Sequence, residues 1–185
     1  MNVDFSELFS SPQAIVAQCF GFGAMLIAFV IYAFRDRRKI LFSKMIADAL
    51  WVVHYALLGG YSGAIINCVN VVREGVFYHK DQKWAQHPLW PLLFVGANIV
   101  SVCLTWAGTI SLLPLFGSCI NVLALWCTNT VHLRWLSLPA LTAWLIYAIL
   151  IGSLSSTLVN AISIGSILFS FVRDFVADAR KKQPK

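Results

Sequence analysis

Charged side chains are the scarcest class in this sequence. Only 12% of its 185 residues are Asp, Glu, Lys or Arg, while 59% are apolar. That balance excludes a soluble globular domain and places the chain in a bilayer. Metal and redox signatures are missing as well. The five cysteines, Cys19, Cys68, Cys103, Cys119 and Cys127, are irregularly spaced and fall in apolar stretches. They form neither a CxxC pair nor a disulfide framework and read as small packing residues. No HExxH occurs: His54 stands alone in an apolar run, and His79, His87 and His132 lie at the inner loops. Gly117-Ser118 has no histidine at a matching depth, which argues against intramembrane serine proteolysis. No enzyme activity, metal or cofactor is therefore expected. A basic n-region is also absent, because the first apolar run follows a dozen residues carrying Asp4 and Glu7, so it does not read as a cleavable signal peptide.

What is present is a series of apolar stretches. A bilayer-spanning helix needs about 20 such residues, and seven runs qualify, near 13–34, 40–58, 61–78, 89–106, 111–128, 135–152 and 154–175. Lys and Arg set their orientation, since cytoplasmic loops retain basic residues. With the N-terminus outside, Arg35, Arg37, Arg38, Lys39 and Lys44 flank the first inner loop, Lys80 and Lys83 the second and Arg134 the third. Arg173, Arg180, Lys181, Lys182 and Lys185 mark the C-terminal tail, and the outer segments hold no basic residue. The net charge of +6 thus reports topology, not nucleic-acid binding.

The most informative feature is an internal repeat. WVVHYALLGGYSGAIIN, Trp51 to Asn67, recurs 93 positions later as WLIYAILIGSLSSTLVN, Trp144 to Asn160. Trp51 pairs with Trp144, His54 with Tyr147, Gly59 with Gly152, Ser62 with Ser155 and Asn67 with Asn160. The Gly/Ser segments GGYSG and GSLSS predict two tight external hairpins. With a one-residue gap the match extends upstream, Gly23 to Gly117 and Tyr32 to Trp126, so each unit is three helices. The expected organisation is an external segment 1–12, a three-helix bundle 13–79, an inner loop and linker helix 80–110 opened by HPLWP, a second bundle 111–175 and a basic tail 176–185. One linker helix restores the orientation of an odd-numbered repeat, so the two bundles run parallel about a pseudo-two-fold axis along the membrane normal. This predicts an all-helical integral membrane protein of three plus one plus three helices.

At about 1.5 Å of rise per residue, Trp51 and Asn67 lie roughly 10 Å below the external hairpin on consecutive antiparallel helices, and Trp144 and Asn160 repeat that geometry. Two indoles and two carboxamides converging at mid-depth suit a neutral, flat, hydroxyl-rich solute. His54, Asn70, Tyr147 and Ser163 join them as candidate solute contacts. Asn160, Ser163, Ser166 and Ser170 form a polar stripe that should face a cavity. The alternative is packing, with each Asn bonding a neighbouring helix. Asp48 and Arg73 are costly at depth and reach similar levels, which suggests an inner ion-pair gate, against a structural pairing of Arg73 with Glu74. Leu141 stands opposite Asp48 in the second unit, so any proton coupling would use one unit alone. Pro114 and Pro139 are candidate hinges, against static kinks.

The run SLLPLFGSCINVLALWCTNTVHLRWLSLPALTAWLIYAILIGSLSSTLVNAISIGSILFSFVR, Ser111 to Arg173, resembles the YgjV family of bacterial inner-membrane proteins. FRDRRKILFSKMIADALWVVHYALLGGYSGAIINCVNVVR, Phe34 to Arg73, is similar to the same family's N-terminal half. That likeness implies a bacterial inner-membrane location and names no substrate. A broader resemblance, in architecture, is to SWEET and SemiSWEET sugar transporters and to PnuC-type vitamin transporters. The SWEET resemblance implies sugar contacts by a helix-two Trp and a helix-three Asn of each unit, which fall on Trp51, Asn67, Trp144 and Asn160. The Pro-Gln pair that ends the first helix in that superfamily is replaced by Arg35-Asp36, and the full set of first-helix prolines is missing too. The expected function is facilitated, alternating-access passage of a small sugar-like solute. The alternatives are a PnuC-like nucleoside or vitamin carrier and a non-transporting scaffold. The bilayer and a small solute are the expected partners, and association of several copies stays open. A reporter active only in the cytoplasm should be active when fused after Lys185, and silence there overturns the topology.

Overall fold

The computed structural model describes residues 11–31, 36–126 and 130–181, with backbone alone for 31, 37, 130–134 and 174–181. The expected placements of Arg35, Cys127, Lys182 and Lys185 lie outside the described residues, as do the side chains of Arg37, His132, Arg134, Arg180 and Lys181.

Seven α-helices follow the seven apolar runs: α1 Pro12–Ile31, α2 Arg37–Leu57, α3 Tyr61–Tyr78, α4 Leu89–Leu104, α5 Leu112–Trp126, α6 Thr130–Leu150 and α7 Leu154–Lys181. Short 3₁₀ turns precede α4 and α5, and no strand occurs among the described residues. Local chemistry sets the starts. Pro12 opens α1 behind Ser11, whose Oγ accepts from Ala14 N at 3.1 Å, and Asp36 caps α2 by accepting from Arg38 N at 2.9 Å; both satisfy N–H groups that a helix start leaves unpaired.

Four segments are long and apolar enough to cross a membrane: Pro12–Val30, Arg38–Leu57, Thr109–Trp126 and Leu154–Arg173. Leu89–Leu104 and Trp135–Leu150 are shorter apolar helices. α3 has lower hydropathy because it turns Asn67, Asn70, Arg73 and Glu74 inward, all four buried. The outer surface is correspondingly greasy, with Leu26, Leu92, Leu104, Phe169 and Val172 all more than half exposed. This is the inverse of a water-soluble protein and suits a hydrocarbon surround.

The packing follows the repeat. α2 lies along both α1 and α3, and α6 along both α5 and α7. α1 meets α7 and α3 meets α5, closing a ring of six helices, with α4 packed outside against α3 and α5. The two hairpins match bond for bond. Gly59 N donates to Ala56 O at 3.2 Å and Gly60 N to Tyr55 O at 2.8 Å; 93 residues on, Gly152 N donates to Ile149 O at 3.2 Å and Ser153 N to Ala148 O at 2.8 Å. Each is a Schellman turn on a left-handed glycine, φ 75° at Gly59 and 69° at Gly152. We refer to this end as the hairpin end and to the other, carrying Arg38, Lys44 and Lys80, as the basic end.

Pro114 is not a break in the backbone ladder. It is the third residue of α5, within the first turn, where amide groups have no helical acceptor. Pro139 does lie inside α6.

Alanine at Gly59 or Gly152 forces a Cβ into the left-handed region and should lower stability by about 1 kcal/mol each. Gly165→Ala, where an added Cβ meets nothing within 4 Å, should be near neutral. Thermal unfolding in detergent micelles reads the difference.

Candidate functional site: a polar cavity between the repeats

Trp51, Asn67, Trp144 and Asn160 all border one cavity of about 150 Å³, together with Asn70, Asp48, Lys44, Tyr55, Asn121 and Ser156. Leu141 also lines it, at the repeat position matching Asp48. The volume is below the about 300–1,000 Å³ of drug-sized sites, which restricts any occupant to a small molecule.

Its roof is aromatic. Tyr55 stacks on Trp51 at 5.7 Å between centroids and on Trp144 at 5.9 Å, with interplanar angles of 27° and 28°. One ring from the first unit is therefore inserted between the two repeat-matched indoles. Gly117 makes room for the second indole: a Cβ there would fall 2.7 Å from Trp144 Cδ1.

The two asparagines are held alike. Asn67 Nδ2 donates to Gly63 O at 2.8 Å and Asn160 Nδ2 to Ser156 O at 2.7 Å, each four residues back on its own helix. A carbonyl acceptor fixes the amide nitrogen in that role, which leaves each Oδ1 as a lone-pair group at the cavity. Asn160 Nδ2 also lies 3.1 Å from Ser156 Oγ, the hydroxyl that meets Tyr55 on α2, whereas Asn67 is bonded within α3. Asn70 differs: its Oδ1 accepts from Ser118 Oγ at 3.0 Å, and Ser118 in turn accepts from Asn98 Nδ2 at 3.0 Å. This relay joins α3, α5 and α4 and frees the Asn70 amide to donate.

Toward the hairpin end a set of hydrogen bonds ties the helices together, one within the first repeat and four between the repeats. His54 Nδ1 donates to Ala17 O at 2.6 Å, which in the neutral ring makes Nε2 the acceptor of Ser153 Oγ, also at 2.6 Å. Tyr55 Oη meets Ser156 Oγ at 2.6 Å, Gly63 N donates to Tyr147 Oη at 3.0 Å, and Gln18 Nε2 donates to Gly152 O at 3.2 Å. The cavity continues instead to Lys44, whose side chain is 32% exposed. Hydrogen bonds thus border the cavity on its hairpin side, and the part-exposed Lys44 borders it on the basic side.

Several sequence expectations change here. His54 and Tyr147 are repeat-matched but form hairpin-end bonds and do not line the cavity wall. Ser163 is half-buried and off the wall, Ser166 is exposed, and Ser170 bonds its own helix at Ile167 O, so the α7 stripe reaches the cavity only at Asn160. Asp48 and Arg73 form no ion pair. Lys44 Nζ bonds Asp48 at 3.1 Å and Glu74 at 2.9 Å, while Arg73 Nη2 bonds Glu74 at 3.0 Å. Both Arg73 and Glu74 are buried and do not snorkel. Tyr55, Asn121 and Ser156 were not anticipated as wall residues. Tyr55 is one helical turn beyond Trp51 and Ser156 one turn before Asn160, so helical spacing from the repeated pair marks both.

Replacing Tyr55 by Phe keeps the stack and removes the Ser156 bond, an interhelical bond of the kind that averages about 0.6 kcal/mol in a membrane protein. Tyr55→Ala removes the wedge and should cost about 3 kcal/mol or more. It should also shift tryptophan emission to the red as water reaches Trp51 and Trp144, and an unshifted spectrum would contradict the stacked roof.

The chain is similar to known proteins of the bacterial inner membrane. The family Imp-YgjV, described as bacterial inner membrane protein, matches residues 15–177. The chain is 24% identical over 145 residues to Inner membrane protein YgjV of Escherichia coli (strain K12), covering 78% of this chain and 76% of that protein. No solved structure matches it. A match spanning α1 to α7 shows that the chain belongs to the YgjV family of bacterial inner membrane proteins.

Proposed function

We propose that this protein moves a small, neutral, polar solute across the inner membrane by alternating access. All seven helices cross the bilayer as two parallel three-helix bundles with α4 as the linker, the hairpin end facing outward and the C-terminus in the cytoplasm. What supports the bundles is that the packing ring maps onto itself when α1, α2 and α3 are exchanged for α5, α6 and α7. What supports the orientation is the absence of basic residues at the hairpin end.

The observation that carries the functional reading is the matched Trp/Asn set around one cavity, bordered by hydrogen bonds on its hairpin side and by the part-exposed Lys44 on its basic side. A packing device has no need of such a chamber. Two carboxamide oxygens accept, and the Asn70 amide donates, a complement for hydroxyl groups. The hairpin-end bonds and the ion cluster are then the outer and inner barriers, and Pro139 is the remaining hinge of the second unit.

A nucleoside or vitamin of PnuC-like type is less well accommodated. Tyr55 already covers one face of each indole, and the chamber is small for a fused-ring solute. A sugar-sized polyol fits the chemistry better.

Proteoliposome uptake from a panel of labelled hexoses, pentoses, polyols, nucleosides and vitamins tests the reading. Asn67→Leu and Asn160→Leu should each weaken binding roughly tenfold or more, because a hydrogen bond lost in a dry site costs about 1 to 3 kcal/mol. The folded protein should remain in the membrane. A scaffold role gives the reverse pattern, with yield and thermal stability falling and no solute taken up.

A further inference from the structure

The charged cluster is confined to the first unit. At the positions matching Lys44, Asp48, Arg73 and Glu74 the second unit has Ser137, Leu141, Ser166 and Ile167. A chamber that is two-fold symmetric in its Trp and Asn walls is therefore one-sided at its basic end.

The charges within the cluster are unevenly shared. Glu74 holds two cations, Lys44 at 2.9 Å and Arg73 at 3.0 Å, and is fully buried. Asp48 has only Lys44, at 3.1 Å and shared with Glu74, and it is the carboxyl that borders the cavity. The two carboxyls flank one ammonium, Asp48 at 3.1 Å and Glu74 at 2.9 Å from the same Lys44 Nζ. Glu74 Oε2 is buried and has no donor among the described residues. Two acceptors cannot satisfy one another, and an orphaned buried oxygen is costly.

We propose that Asp48 carries a proton and that its binding and release couple solute passage to proton movement. A proton taken from water onto the Asp48 carboxylate converts it to an O–H donor, which can satisfy the buried Glu74 carboxylate. The ion pair with Lys44 is lost, and Lys44 stays bonded to Glu74. Release of the proton to water restores the Lys44–Asp48 pair. The groups facing Asp48 are Lys44 on its own helix, Arg73 and Glu74 on α3, and uncharged residues elsewhere: Asn121 on α5, Leu141 and Trp144 on α6, and Ser156 and Asn160 on α7. Nothing ionisable reaches the site from the second unit among the described residues, so one proton site serves two solute half-sites.

The proton site can be tested without knowing the solute, whereas the coupling rests on the transport reading. Infrared difference spectra of the full-length protein in liposomes, recorded between pH 5 and pH 8, should show one protonated-carboxyl stretch that rises with acidification. It should be lost in Asp48→Asn and kept in Asp36→Asn, a distant exposed carboxyl. A band that survives Asp48→Asn, or no titrating carboxyl, overturns the proposal. For the solute taken up in the panel, an inward proton gradient should accelerate uptake by the wild type, with alkalinisation outside. Asp48→Asn should lose that acceleration, while solute counterflow, which needs no net proton movement, is reduced less. Uptake indifferent to the gradient overturns the coupling. A panel with no transported solute defeats the transport reading, and the infrared result still decides whether Asp48 is a proton site.

Discussion

Hydrocarbon offers no hydrogen bonds, and this single constraint organises the molecule. Every polar atom placed inside must find its partner within the protein, so the polar residues of this chain mark its internal architecture. Ser118 sits between Asn70 and Asn98; His54 sits between Ala17 and Ser153; Ser62 donates to Thr105 O and accepts from the Ser111 hydroxyl. Each joins helices that apolar packing alone would hold only loosely, because lipid tails compete equally well for apolar contact. The exceptions are then informative. Buried without a partner among the described residues are Glu74 Oε2, beside the Lys44–Asp48 pair, and Arg73 Nε and Nη1, Gln18 Oε1, Asn98 Oδ1 and Ser155 Oγ.

The duplicated sequence builds a duplicated scaffold, and differences inside it supply asymmetry. Matching Schellman turns and matching Asn back-bonds reproduce the repeat at the level of single atoms. The matched pair His54 and Tyr147 has diverged in chemistry yet still bridges the two halves, one through a ring nitrogen and the other through a phenol. Tyr55 has only Ala148 at its matching position, so a single ring fills the axis between the two indoles.

The helices, the repeat and the meeting of Trp51, Asn67, Trp144 and Asn160 at one cavity were legible in the sequence because each rests on a one-dimensional signal: apolar length or a fixed spacing. What was not legible depends on azimuth. Depth counting put Asp48 and Arg73 at one level but could not tell that Lys44 stands between the carboxylates, so a residue taken as a topology marker became the centre of the cluster. Tyr55 escaped notice because the repeat comparison highlights residues that have partners, and its importance comes from lacking one. Ser163 shares a helical face with Asn160, yet it is off the wall although Asp48 and Asn70 line the cavity, and periodicity does not reveal which helix a cavity leaves first.

The Asn98–Ser118–Asn70 relay ties the outlying α4 simultaneously to α5 and to α3, one helix from each half. Under the alternating access proposed above, a joint of that kind would behave as a fulcrum. If the halves tilt about it, displacement grows with distance along the helices, so the hydroxyl and imidazole contacts at the hairpin end swing furthest while the relay itself stays intact. Contacts of 2.6 Å between short side chains tolerate little of that travel, so a small rotation at the fulcrum suffices to unfasten them together.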